Sequence, residues 1–234
     1  MISLMGFGNL PCRLIWLALP WKSAWIVYSV VYPVTVKHMQ PLLLASSSIY
    51  RRRLLEQLRI PFSYASPDVD ESVLADESPL AYVSRLANAK AYAMQSSYPE
   101  HWIIGSDQTC VIDGRIVGKS GSFDVALAQL QQASGRSVTF YTGVCLLNAQ
   151  TGQQWQHVEP FTVHFRSLTE EEIGHYLTLE QPYDCAGSFK VEGLGIQLFQ
   201  SLEGRDSSSL IGLPLIALLD LMREAGWQPL LSAT

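Results

Sequence analysis

An α/β fold is predicted from three observations. Short apolar runs bounded by turn residues alternate with stretches of helical periodicity, several of those stretches open on a Ser or Thr cap, and a composition of 48% hydrophobic and 16% charged residues is that of an ordinary folded chain. A length of 234 residues is enough for one sizeable domain, or for two lobes about one core.

Taken in order from Pro41, the run Leu42-Leu43-Leu44-Ala45 reads as a short buried strand. Ser46-Ser47-Ser48 then supplies hydroxyls and a helix N-cap before a helix over residues 50–58. Strand, polar loop and helix N-terminus is an arrangement in which backbone N–H groups and the helix dipole receive a phosphate. Arg51, Arg52 and Arg53 lie in that first turn, where positive charge opposes the dipole; they form either a solvated basic face or a phosphate site. A second helix opens at Ser78-Pro79, a cap followed by proline at the first helical position. Its apolar stripe runs Val83, Leu86, Ala87, and the next step of the spacing falls on Lys90. A lysine there either snorkels its ammonium to water or meets a buried anion. Asp70-Glu71, in the loop before this helix, offers two carboxylates suited to a hard divalent cation, or simply two solvated charges.

Ile103-Ile104-Gly105-Ser106-Asp107-Gln108 is an apolar run that stops abruptly in polar residues. A buried strand is expected to end there, with Asp107 at the point where it leaves the core and meets a cleft. A carboxylate so placed is paired, metal-bound, poised for proton transfer or used as a local cap, because an isolated buried anion is too costly. Residues 111–117 read as a hairpin on the Asp113-Gly114 turn, followed by Gly118-Lys119. A helix over 122–134 stopped by Gly135, strands over 138–147 and 158–165, and a capping box at Thr169-Glu170-Glu171-Glu172 come next. Residues 185–195 are glycine-punctuated and read as a loop lining a site, and a last helix opens at Pro214 and stops at Gly226.

The formal net charge of −5 argues against broad nucleic-acid binding, which needs a basic face, so any anionic ligand must be held by a few local cations. Cys12, Cys110, Cys145 and Cys185 show neither CxxC spacing nor clustering with histidine, which points to reduced thiols in the cytoplasm rather than zinc or a disulfide framework. Residues 1–38 differ from the rest: from Leu14 to Val36 the one charge is Lys22, and Pro20, Lys22 and Pro33 interrupt any membrane-spanning run, so no stable membrane partner is expected. This apolar extension is open to three readings: a segment with little structure, a weak interface anchor, or an extra packed element. Met39, directly before the first clear strand, is a candidate start for the folded domain over 39–234.

The ordered set Leu43-Leu44-Ala45-Ser46-Ser47-Ser48 with Arg51-Arg52, Asp70-Glu71, Lys90-Ala91, Gly105-Ser106-Asp107-Gln108, Gly118-Lys119, Tyr141-Thr142-Gly143 and Gly187-Ser188-Phe189-Lys190 resembles the Maf-like nucleoside triphosphate pyrophosphatases, over about Pro41 to Pro229. Within that family it is most similar to the 7-methyl-GTP pyrophosphatase branch, through Gly-Ser-Asp-Gln, Lys190-Val191-Glu192-Gly193 and Glu203-Gly204-Arg205-Asp206. The resemblance implies a two-lobed Maf/ITPase-like α/β fold with a mixed twisted sheet and a central cleft, in a family that is often homodimeric. It implies metal-dependent cleavage between the α and β phosphates, with Mg²⁺ or Mn²⁺ as cofactor and a nucleotide as the partner. Asp107 then matches the proton acceptor, and Ser46, Arg51, Lys90 and Lys119 match the phosphate-binding positions. Glu71 and Asp107 match the metal region, and Tyr50, Gln108 and Glu192 match the positions governing base specificity. An aromatic face suits the cationic 7-methylguanine ring, and a carboxylate suits its paired N1–H and amine donors. The chain departs from the branch at Ile49-Tyr50, where Pro-Trp is usual, and at Ser120, where Pro follows Gly-Lys. Two other functions stay open: the same chemistry on dTTP, UTP or several nucleotides, and a non-catalytic nucleotide-binding regulator of cell division.

Overall fold

The computed structural model describes residues 15–21, 24–30 and 40–233, and the chain divides into two compact units, Met1–Met39 and Gln40–Thr234. In the first, β1 (Ile15–Trp21) pairs antiparallel with β2 (Ala24–Val30), from Ile15 opposite Val30 to Trp21 opposite Ala24. The remainder of residues 1–38, and Met39 as a domain start, lie outside the described residues. Among those described, no helix is long and apolar enough to cross a membrane.

The second unit is α/β. Its elements are β3 (Leu42–Ala45), α1 (Ile49–Glu56), β4 (Phe62–Ala65), α2 (Pro79–Gln95), β5 (Trp102–Ile112), β6 (Arg115–Val117), α3 (Phe123–Ala133), β7 (Ser137–Asn148), β8 (Gln154–Phe165), α4 (Glu170–Glu180), a 3₁₀ turn (Leu194–Leu198), β9 (Phe199–Gly204), α5 (Ser208–Ile211), α6 (Leu215–Glu224) and α7 (Pro229–Ser232). The sheet runs β4-β3-β5-β7-β8-β9, with β6 added to β5. It is mixed: β3 is parallel to β4 and β5, and the remaining pairs are antiparallel.

Local chemistry sets most boundaries. Ser48, Ser78 and Ser122 each accept the N3 backbone N–H of the helix they precede, and Thr169 and Glu172 form the reciprocal capping box of α4. Asp113 and Gly114 both take positive φ, which matches their turn to the twist of β5 and β6. α6 follows Pro214, but its first N–H groups are taken by Asp206 and by Ser208, whose Oγ accepts from Leu215 N at 2.9 Å.

The expectation for β5 needs correction. The strand does not end near Gly105; it continues through Asp107 to Ile112, paired with β7 from Trp102 to Val111. What ends is β3, which pairs with β5 only as far as Ala45 opposite Gly105 before turning into α1. The apolar run stops because the core on that side stops. Trp102 and Ile104 of β5, with Val144 and Leu146 of β7, belong to a core under α1 and α6. Cys110 and Ile112, with Val138 and Phe140, belong to a second core under α3 and α4. β5 and β7 thus run through both lobes, and Ser106, Asp107, Gln108 and Thr109 occupy the stretch between the cores.

α2 covers the opposite face of β5 and β7, with Ala87 and Ala91 in a third cluster. Its approach depends on missing side chains. A Cβ at Gly105 would lie 2.0 Å from Ala87 O, and one at Gly143 would lie 2.4 Å from Val83 O. Gly105 and Asp107 share a face of the strand, so the contact that seats α2 also brings Lys90, one turn beyond Ala87, onto Asp107.

Candidate active site

A cavity of about 510 Å³ opens between the two lobes. Its walls include every residue to which the resemblance gave a role: Ser46, Tyr50, Arg51, Glu71, Lys90, Asp107, Gln108, Lys119 and Glu192. They come from six separate segments, so the gathering is a product of the fold.

At its centre Lys90 Nζ lies 2.6 Å from Asp107 Oδ1 and 2.6 Å from Glu71 Oε1. Lys90 and Asp107 are each only 6% exposed, so the ammonium does not snorkel to water; it meets two carboxylates. Asp107 Oδ2 takes no hydrogen bond among the described residues and remains open to the cleft. Burial pushes the Glu71 carboxyl up, but the hydrogen bond and charge of Lys90, with Lys119 and Arg51 further off, outweigh it and hold the group below its ordinary value. Tyr82 fixes that loop by donating from its hydroxyl to Glu71 O at 2.9 Å. The Arg85 guanidinium grips both oxygens of Glu77 at 2.6 and 2.7 Å and reaches Ser72 O at 3.0 Å. Of the acidic pair, Glu71 alone faces the cavity; Asp70 turns its carboxylate back onto Ser72.

The N-terminus of α1 forms another wall. Ser46 is buried and its Oγ accepts from Ser48 N at 3.1 Å, which tightens the turn out of β3. The three arginines separate here. Arg51 enters the cleft, Arg52 stacks over the Tyr64 ring with its guanidinium carbon 4.3 Å from the centroid, and Arg53 is exposed. Arg51 Nε donates to Gly212 O at 2.7 Å. Burial draws the Arg51 guanidinium below its ordinary value, against the opposing pull of Asp107 and Glu71. Gly212 O also accepts from Ser106 Oγ at 2.9 Å, so the turn after α5 ties Arg51 to the middle of β5.

Gln108 faces away from α2. Its amide nitrogen donates toward Ser209 O at 2.6 Å, Leu210 O at 3.0 Å and Thr142 Oγ1 at 3.2 Å, so its two hydrogens are shared among three acceptors, and Oε1 takes no hydrogen bond among the described residues. Lys119 is exposed at the cavity edge, beside an isolated bridge to Ala186. At the far end, Tyr50 OH lies 3.4 Å from Asp184 Oδ2. Burial, then Cys185 and Asp184, push its phenol up, with Lys190 opposing. Glu192 makes no hydrogen bond or ion pair among the described residues.

Tyr82, Asp184 and Lys190 also line the cavity and were given no role from sequence. Lys190 sits in the semi-polar 185–195 loop, and that loop was the only local signal available for it. Counted over the lining, four lysines and arginines face four aspartates and glutamates, so the cleft holds no excess of positive charge. Among the described residues no group of three or more His, Cys, Asp or Glu side chains is placed to hold a metal.

Fold and cleft together define an α/β protein with a charge-lined ligand site between two cores. The chain belongs to the Maf family, since residues 41–225 match the family model described as Maf-like protein. It is 58% identical over 190 residues to a 7-methyl-GTP pyrophosphatase of Pseudomonas fluorescens (strain Pf0-1), covering 81% of this chain and 99% of that one. It is 57% identical over 188 residues to a protein of the same name from Pseudomonas savastanoi pv. phaseolicola (strain 1448A / Race 6), covering 80% and 98%.

Proposed function

We propose that the protein is a nucleoside triphosphate pyrophosphatase, a hydrolase of acid anhydrides that cleaves between the α and β phosphates and favours 7-methyl-GTP. The observation that carries this reading is the contact of the buried Lys90 with Asp107 and Glu71 beside the N-terminus of α1. Family membership and the names of the relatives support it.

Ser46, Arg51, Lys90 and Lys119 hold the phosphates, with the first backbone N–H groups of α1 beside them. Asp107 accepts the proton of the attacking water at Oδ2 while Oδ1 stays on Lys90, and that contact fixes the carboxylate's orientation. A divalent cation fits this donor set. Two carboxylates, Glu71 and Asp107, converge on one positive centre, and a hard cation of the Mg²⁺ or Mn²⁺ kind needs one or two carboxylates besides water and substrate phosphates. The balanced lining charge favours it too, because a polyphosphate entering such a cleft brings negative charge the protein has not matched. When bound, the ion supplies Lewis-acid polarisation of phosphoryl oxygens.

The base lies toward Tyr50 and Glu192, the ring of Tyr50 against the cationic purine and the free carboxylate of Glu192 on its N1–H and amine. Gln108 contributes through Oε1 and through its hold on α5. The test is kcat/KM for 7-methyl-GTP, GTP, UTP and dTTP, with and without Mg²⁺ or Mn²⁺. 7-Methyl-GTP is expected to exceed GTP by roughly two- to thirtyfold, the range that a cation–π contact of 0.5 to 2 kcal/mol supports. Glu192→Ala should cost more for 7-methyl-GTP than for UTP, Tyr50→Ala should erase most of the preference, and Tyr50→Trp should keep it. A wild type that prefers UTP or dTTP, indifferent to Glu192, would leave a pyrophosphatase of other specificity. Saturable binding with no diphosphate released would leave a nucleotide-binding regulator.

The same reading places the activity in residues 39–234, in a cytoplasmic homodimer. A chain shortened to begin at Met39 is therefore expected to fold and turn over nucleotide like the full chain. Loss of cooperative melting on truncation would assign residues 1–38 to the core.

A further inference from the structure

Glu192 has no side-chain partner among the described residues, so its direction into the cleft is set by the backbone that carries it. That backbone is stitched to the last turns of α4. Lys190 N donates to Tyr176 OH at 3.1 Å. Leu194 N donates to Glu180 Oε2 at 2.8 Å, and Lys190 Nζ reaches Glu180 O at 3.4 Å. Between these anchors the loop closes on itself, with Gly193 N and Gly195 N both donating to Lys190 O at 3.2 and 3.1 Å. Tyr176 is itself 5% exposed in the second core, and Phe189, the residue before the loop, packs on Phe199 with ring centroids 4.8 Å apart. The clamp therefore rests on a rigid base. It also has no slack: a Cβ at Gly193 would lie 2.6 Å from Glu180 Oε2 and 2.9 Å from its Cδ and Oε1.

We infer that Tyr176 and Glu180, neither of which lines the cleft, are positioning residues for base selection, acting through the 190–195 loop to aim Glu192 at the base. The inference rests on the base-reading role proposed for Glu192. Loosening the clamp should leave the phosphate end of the cleft, built from α1, α2 and β5, undisturbed, while Glu192 drifts. The effect should appear in selectivity before it appears in turnover.

The experiment measures kcat and KM for 7-methyl-GTP and UTP on the full chain, with Glu192→Ala as reference. Glu180→Ala is expected to lower the 7-methyl-GTP to UTP ratio of kcat/KM about tenfold, less than the roughly hundredfold that a 1 Å misplacement can cost, with kcat for UTP little changed. Glu180→Gln keeps an oxygen acceptor for Leu194 N and should restore most of the ratio. Gly193→Ala should lower the ratio in the wild-type background by forcing the Glu180 carboxylate away, and should lower it no further in Glu180→Ala, where the colliding group is gone. A purely structural role would instead depress both substrates together and give additive losses in the double variant, which overturns the inference. If Glu192→Ala changes the ratio and Glu180→Ala does not, the clamp is wrong while the base reading stands. If Glu192→Ala itself leaves the ratio unchanged, the base reading and this inference fall together.

Discussion

Asp107→Asn is expected to abolish useful turnover, lowering kcat on the order of 10³-fold, within the range general-base catalysis supplies. The amide has the volume of the carboxylate and can still accept a hydrogen bond from Lys90 Nζ, so the packing of α2 on β5 at Gly105 is kept. What it cannot do is take a proton at the second oxygen or carry full charge toward a cation. Lys90 retains Glu71 as a partner, so the variant does not leave a buried ammonium unpaired. Activity and melting should therefore separate: a cooperative unfolding transition close to wild type, with diphosphate release near background for every nucleotide. A folded Asp107→Asn protein with near wild-type kcat would remove Asp107 from the chemistry and leave the Lys90 contact as a structural ion pair.

How much of this was legible in the sequence differs by element. The caps at Ser48, Ser78 and Thr169 were readable because each is a local event: one hydroxyl and one N–H three residues on. Lys90 was readable as an anomaly, since periodicity fixes its face but says nothing of what lies opposite. The length of β5 was not readable. Hydrophobicity reports the core a strand crosses, and β5 passes between two cores, so its polar middle looks like an end. β4 and β9 were missed for a related reason: their outer residues are largely exposed and make no apolar run, and parallel pairing of β4 to β3 is a non-local matter. The division of labour among Arg51, Arg52 and Arg53 depends on Gly212 O and the Tyr64 ring, neither adjacent in sequence. Likewise Glu71 and Asp70 read alike until the loop turns one inward and the other onto Ser72.

Lys90→Met should show the second large effect, and it tests charge with little change in packing. Methionine is flexible and fills much of the lysine stem's space beside Ala87 and Ala91, so the core of α2 is kept while the ammonium is lost. Two consequences follow. Removing one partner of a buried ion pair costs about 3–5 kcal/mol. The measured loss should fall toward the lower end, because Glu71, with its side chain 52% exposed, can turn to water, whereas Asp107 cannot. Catalysis should weaken for all four nucleotides, since a phosphate contact worth roughly 1.5 to 3 kcal/mol is removed. The pH dependence of stability separates the ion pair from simple loss of packing. In the wild type the Glu71 carboxyl is held below its ordinary value, so its contribution is full above that value and is lost as pH falls through the folded one. Without Lys90 the main influence holding Glu71 down is gone, and with the carboxylate free to turn to water its contribution shrinks. The stability deficit of Lys90→Met relative to wild type should therefore narrow as pH is lowered through the carboxylate range, read as the difference in melting temperature across that range. A deficit independent of pH, with kinetics unchanged, would return Lys90 to a packing role and detach the phosphate site from α2.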